Sequence, residues 1–127
     1  MDSFYRLKKM YTYTPETRDY WKLWGKDEYI YDDCDGFSLN LIYRHFGEFW
    51  KPIFKGYAKI YHCTYYGEGH MVCMIGDKYF DNISTKPMDI LPLGYKNIKQ
   101  YEPITVLLSM YIFKSYWMNK LRKLIGR

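Results

Sequence analysis

Cys34 stands in an acidic run, Asp32-Asp33-Cys34-Asp35-Gly36-Phe37-Ser38. It is followed 36 residues later by His70, in Gly69-His70, and then by Asp81, in Tyr79-Phe80-Asp81-Asn82. A thiol, an imidazole and a carboxylate can form one nucleophilic site: the imidazole takes the thiol proton, and the carboxylate orients the ring and stabilises its charged form. The acidic neighbours sharpen the requirement. Three aspartates beside Cys34 disfavour a thiolate, whereas the start of a helix favours one through its free N–H groups and partial positive charge. An imidazolium close by would settle the balance, so Cys34 needs His70. The Cys34 backbone N–H is a candidate oxyanion donor, and Trp24 and Tyr31, upstream, are candidates for a second through their indole N–H and phenol O–H.

The elements that must position these groups are legible in part. Cys34, Phe37, Leu41 and His45 recur at helical spacing, and Gly47 supplies a stop, which predicts a helix over 34–46. Tyr57 to Tyr66 is rich in tyrosine and β-branched residues and predicts a strand, broken at Gly67-Glu68-Gly69. Met71 to Ile75 is apolar on both faces, as an internal strand is. Gly76-Asp77 is a two-residue hairpin signal, with Lys78 to Asn82 returning. In that register Ile75 faces Lys78 and Val72 faces Asp81. His70, Val72 and Asp81 then share a face, with Asp81 diagonal to His70 and within side-chain reach. A three-residue loop would put Asp81 on the other face.

The remaining chain reads less clearly. Thr14-Pro15-Glu16 opens a helix that Gly25 closes. Trp50-Lys51-Pro52 reads as a turn. Residues 83–101, with Pro87, Pro92 and Gly94, read as irregular. Pro103 opens a last helix reaching about Leu124.

Asp33-Cys34-Asp35 and Gly69-His70…Phe80-Asp81-Asn82 together resemble the transglutaminase-like cysteine peptidases of bacteria and phages, over residues 20–100. The resemblance implies a papain/transglutaminase-like α+β domain, a cysteine-bearing helix packed on a small antiparallel sheet. Its nucleophile maps to Cys34, its general base to His70 and its orienting carboxylate to Asp81. It implies amide hydrolysis on a protein or peptide substrate, or acyl transfer to an amine, without metal or organic cofactor. Two positions depart from the family pattern: Gly36 stands where a second acidic residue is usual, and Ser38 where alanine is common. Gly36 could let a substrate backbone approach closely.

The 127 residues suit one domain, 1–127, with a basic C-terminal helix and tail over 103–127. The composition is globular, 48% hydrophobic and 26% charged. A single alanine against sixteen tyrosines suggests an AT-rich coding genome of the phage or low-GC bacterial kind. The net charge of +5 resides in residues 114–127, which carry five basic groups and no acid, so the rest of the chain is neutral. A nucleic-acid partner is therefore disfavoured despite the pI near 9.0. The apolar run from Ile104 to Met118 makes only ~22 Å of helix, short of a ~30 Å bilayer core, and the basic end could instead rest on an anionic membrane surface or a partner. Three cysteines without CxxC spacing and no signal-peptide pattern point to a cytoplasmic setting. Zinc would have to gather Cys34, His62, Cys63, His70 and Cys73 without the usual knuckles. The aspartates lack EF-hand spacing and read as solvated helix-start acids. The competing function is a non-catalytic binding protein on the same scaffold, for instance a phage factor acting on a host protein or at the membrane surface.

Overall fold

Alternation and turn chemistry set the frame. Ala58–Tyr65 (β3) and Glu68–Ile75 (β4) pair antiparallel across Tyr66-Gly67, two residues that both carry positive φ. Gly76-Asp77 then closes a second hairpin to Lys78–Phe80 (β5), in which Ile75 faces Lys78 and Cys73 faces Phe80. This is the register predicted for a two-residue loop. The structure, a computed structural model, describes residues 2–15, 21 and 23–110.

The protein is mixed α+β. From the N-terminus come a helix, Asp2–Met10 (α1), two short strands, Tyr11–Tyr13 (β1) and Ile30–Asp32 (β2), which pair parallel, and the helix Cys34–Phe46 (α2). A short helix, Trp50–Lys55 (α3), precedes β3. Tyr95–Tyr101 (β6) completes a four-stranded antiparallel sheet of order β5-β4-β3-β6, and Pro103–Leu108 (α4) follows.

The core lies between α2 and one sheet face. Phe37, Leu41 and Ile42 of α2 are buried with Ile60 of β3 and with Met71 and Cys73 of β4. Phe4 of α1 closes this layer, its ring centroid 5.1 Å from Phe80 and 6.1 Å from Phe37. Burying a side chain of this size contributes about 1.5–3 kcal/mol. The opposite sheet face carries a smaller cluster of Cys63, Val72 and Tyr95.

The α2 bounds match the expected 34–46, and Gly47 ends the helix at φ 78°, its N–H returning to the Tyr43 carbonyl. Four expectations change. Pro52 lies in the first turn of α3 rather than in a bare turn, where the N–H it lacks would have had no helical partner. Residues 83–101 are not wholly irregular: they contain β6 and a bridge between Met88 and Tyr79. Helix α1, which the sequence reading passed over, buries Phe4 and Leu7. The helix expected from Thr14 lies outside the described residues at 16–20 and 22, while Trp21 and 23–25 are not helical. The continuation of the last helix beyond 110 and the basic tail also lie outside the described residues. Among the described residues no helix is long and apolar enough to cross a membrane.

Candidate functional site

The hairpin places its two chemical groups as the register requires. His70 Nε2 lies 2.9 Å from Asp81 Oδ2, with His70 only 6% exposed and Asp81 fully buried. A carboxylate only accepts, so Nε2 carries the hydrogen, and in the neutral ring the lone pair is on Nδ1. Nδ1 makes no hydrogen bond to a described residue, which leaves a basic nitrogen for another group. Asp81 is itself held on both oxygens. Oδ1 accepts the backbone N–H groups of Ile83 (3.1 Å) and Ser84 (2.7 Å), and Oδ2 accepts the Tyr95 hydroxyl as well as His70. Burial pushes the Asp81 carboxyl up, but the hydrogen bonds from His70, Tyr95 and Ser84 outweigh it and hold it below its ordinary value.

Cys34 opens α2. Asp33 is the N-cap, and its side chain accepts from the Asp35 and Gly36 amides, leaving the Cys34 N–H outside the cap. The β4–β5 ladder stops at Cys73 and Phe80. Beyond that point the edge of β4 is met by the first turns of α2: the Met71 amide acts on the Cys34 sulfur, and Ser38 Oγ donates to the Met71 carbonyl at 3.5 Å. The thiol is thus brought to the residue next to His70. No hydrogen bond joins Cys34 to His70. The thiol donates instead to Asp35 Oδ1 at 3.5 Å. Burial first, then the Asp35 charge, pushes the thiol up to about 12, against the smaller favourable effect of the Met71 amide. At rest Cys34 is a neutral thiol.

The aspartates are not solvated helix-start acids, as the sequence suggested. Asp32 is 4% exposed. It accepts the Trp24 indole N–H at 3.1 Å and the Asp33 amide at 2.8 Å. Asp35 accepts the Trp21 indole at 3.0 Å. Burial, aided by neighbouring Asp32, raises the Asp33 carboxyl despite its amide bonds. Asn40, also buried, ties this layer together by donating to the Gly36 carbonyl and accepting the Trp24 amide. Gly36 has a steric role, not the substrate-approach role expected: a Cβ there would lie 2.1 Å from Asp32 Cγ.

The two upstream oxyanion candidates, Trp24 and Tyr31, lie on the N-terminal side of α2. The Trp24 indole is committed to Asp32, and the Tyr31 side chain is largely exposed on β2. The five zinc candidates do not converge: His62 and Cys63 sit on opposite sheet faces, and among the described residues no group of three or more His, Cys, Asp or Glu side chains is arranged to hold a metal ion.

Two contributors escaped the sequence reading. Lys8 of α1 donates to the Asn82 carbonyl at 2.7 Å; burial lowers its ammonium, and the nearby Asp81 charge opposes that. Tyr95 reaches Asp81 from β6 because that strand is bulged. Between the pairs His62↔Lys99 and Thr64↔Lys96, β3 has one residue and β6 has two, Asn97 and Ile98, with Asn97 at φ 55°. The extra residue turns Tyr95 onto the His70 face, while Tyr101 stays on the α2 face beside Trp21. No family model, curated protein or solved structure matches the chain.

Proposed function

We propose that the protein is a thiol-dependent amide hydrolase acting on a protein or peptide, on a papain/transglutaminase-like core. The observation that carries this reading is the buried His70–Asp81 pair at 2.9 Å, in the one hairpin register that permits it, with a helix-start cysteine at the amide of the adjoining Met71. In this reading His70 Nδ1 takes the Cys34 proton as the sulfur attacks the amide carbon. Asp81 stabilises the imidazolium that forms, and the Cys34 N–H donates to the developing oxyanion. His70 then gives its proton to the leaving amine, and water, deprotonated by the same ring, hydrolyses the thioester. An amine in place of water would give acyl transfer.

A second reading is favoured by one specific observation. The raised thiol and the absence of a Cys34–His70 hydrogen bond suit a non-catalytic binding protein on the same scaffold. Thiol labelling separates the two. Cys63 and Cys73 are fully buried, so selectivity for Cys34 reports only access. The contrast that decides is dependence on His70. With iodoacetamide at neutral pH, His70→Ala is expected to slow Cys34 labelling about 100-fold or more, the low end of what a positioned base supplies. Equal rates in the two proteins would sink the enzyme reading and leave the binding protein.

A further inference from the structure

We propose that Tyr95 is a positioning residue of this site, holding the His70-facing oxygen of Asp81 and limiting how strongly that carboxylate draws the imidazole proton. The inference deepens the reading of Cys34, His70 and Asp81 as one reactive unit. It rests on geometry that is independent of turnover.

His70 Nε2–H and Tyr95 O–H converge on one atom, Asp81 Oδ2, while Oδ1 is saturated by two backbone amides. A carboxylate oxygen shared between two donors is a weaker acceptor for each than one that serves a single donor. The Tyr95 ring also flanks the imidazole, with centroids 5.8 Å apart, and Tyr65 flanks it at 5.7 Å, so the ring has little freedom to leave the carboxylate. Tyr95 is 8% exposed, and its presence on this face depends on the β6 bulge at Asn97. Burial, then its bond to Asp81, holds the phenol protonated far above neutral pH, so it is a constant donor through the working range.

The consequence for chemistry follows from the two proton transfers the ring has to make. Asp81 unopposed would favour the imidazolium, which helps Cys34 lose its proton but retards return of that proton to a leaving amine. A second donor on Oδ2 moderates the first step and eases the second. Among the described residues, the titratable groups on the face of the pair or acting on Asp81 include Lys8 from α1, Cys63 and Tyr65 from β3, Tyr79 from β5 and, through its charge interaction alone, Cys73 from β4. Among these, only Lys8 is a cation, and its ammonium is engaged at the Asn82 carbonyl.

The test uses the free, full-length protein and NMR. Tyr95→Phe keeps the ring and removes the donor. The Asp81 carboxyl titration is expected to move up by roughly half a pH unit or more. The His70 Nε2–H proton is expected to move downfield as Asp81 becomes the stronger acceptor. No change in either, or an upfield movement, overturns the proposal. If Tyr95→Phe does not fold, 3,5-difluorotyrosine placed at position 95 is a stronger donor with the same shape. It should move both readouts the opposite way, and unchanged signals again overturn the proposal. Neither readout needs catalysis. An inert Cys34 therefore defeats the hydrolase reading without touching this one, and unchanged spectra defeat this one while leaving His70-dependent labelling intact.

Discussion

Asp35 is the residue whose removal should most change Cys34. It accepts the thiol hydrogen at 3.5 Å and is the main neighbouring charge that disfavours the thiolate. At that separation two unit charges interact by about 5 kcal/mol at an effective dielectric of 20 and by about 1 kcal/mol in bulk water. The half-buried site lies between these limits. With 1.36 kcal/mol to a pKa unit, Asp35→Asn should lower the thiol by about one to three units from its value of about 12. Loss of the S–H···O⁻ bond acts in the same direction. At pH 7 the thiolate population then rises about 10- to 1,000-fold. A less basic thiolate is a weaker nucleophile, with a Brønsted slope of about 0.4–0.5, so the net gain in exchange rate is about 3- to 50-fold. The assay is thiol–disulfide exchange with dithiodipyridine, followed by intact mass. The buried Cys63 and Cys73 contribute no background in the folded protein. The asparagine oxygen can still accept from Trp21, so the local packing has a reason to persist. A variant that reacts no faster than wild type would refute the electrostatic account of why this cysteine rests as a thiol.

Two further outcomes follow from the packing around the site. Gly36→Ala would ordinarily stabilise a helix, but the added methyl would collide with the buried Asp32 side chain, so the change is expected to cost roughly 1–3 kcal/mol in urea unfolding; a higher midpoint than wild type would refute the steric account. Asp81 titrates below its ordinary value in the folded state, so its contribution is complete above pH ~4 and fades as pH falls through the lower folded value. Asp81→Asn should therefore be less stable than wild type by roughly 1–3 kcal/mol at pH 6, with the gap closing towards pH 2; a gap that stays constant over that range would contradict the assignment.

The parts of the site that were legible in the sequence are those fixed by local rules. Helical spacing from Cys34 and Gly47 as stop bound α2, and the Gly76-Asp77 loop sets the register that joins His70 to Asp81. What was not legible depended on distant partners. An unbroken strand would place Tyr95 and Tyr101, six residues apart, on one face; the bulge between them hides that strand from a search for period two. Gly36 looked like a matter of substrate access because nothing local shows that Asp32 folds back over it. The aspartates read as solvated because nothing local shows that the indoles of Trp21 and Trp24, 14 and eight residues upstream of the acids they bond, fold back onto them. Pro52 reads as part of a turn because proline is usually punctuation, although a first helical turn accepts it.

The bulge that aims Tyr95 also bears on how the molecule meets copies of itself. β6 is a terminal strand of the four-stranded sheet, and a flat terminal strand is a template for another chain. Here the strand is kinked by a left-handed asparagine at its middle, and exposed Lys96 and Lys99 flank that kink. A second β6 brought alongside would meet a broken ladder of amides and carbonyls and two like charges. The distortion that serves the interior of the domain therefore also discourages edge-to-edge association on its exterior.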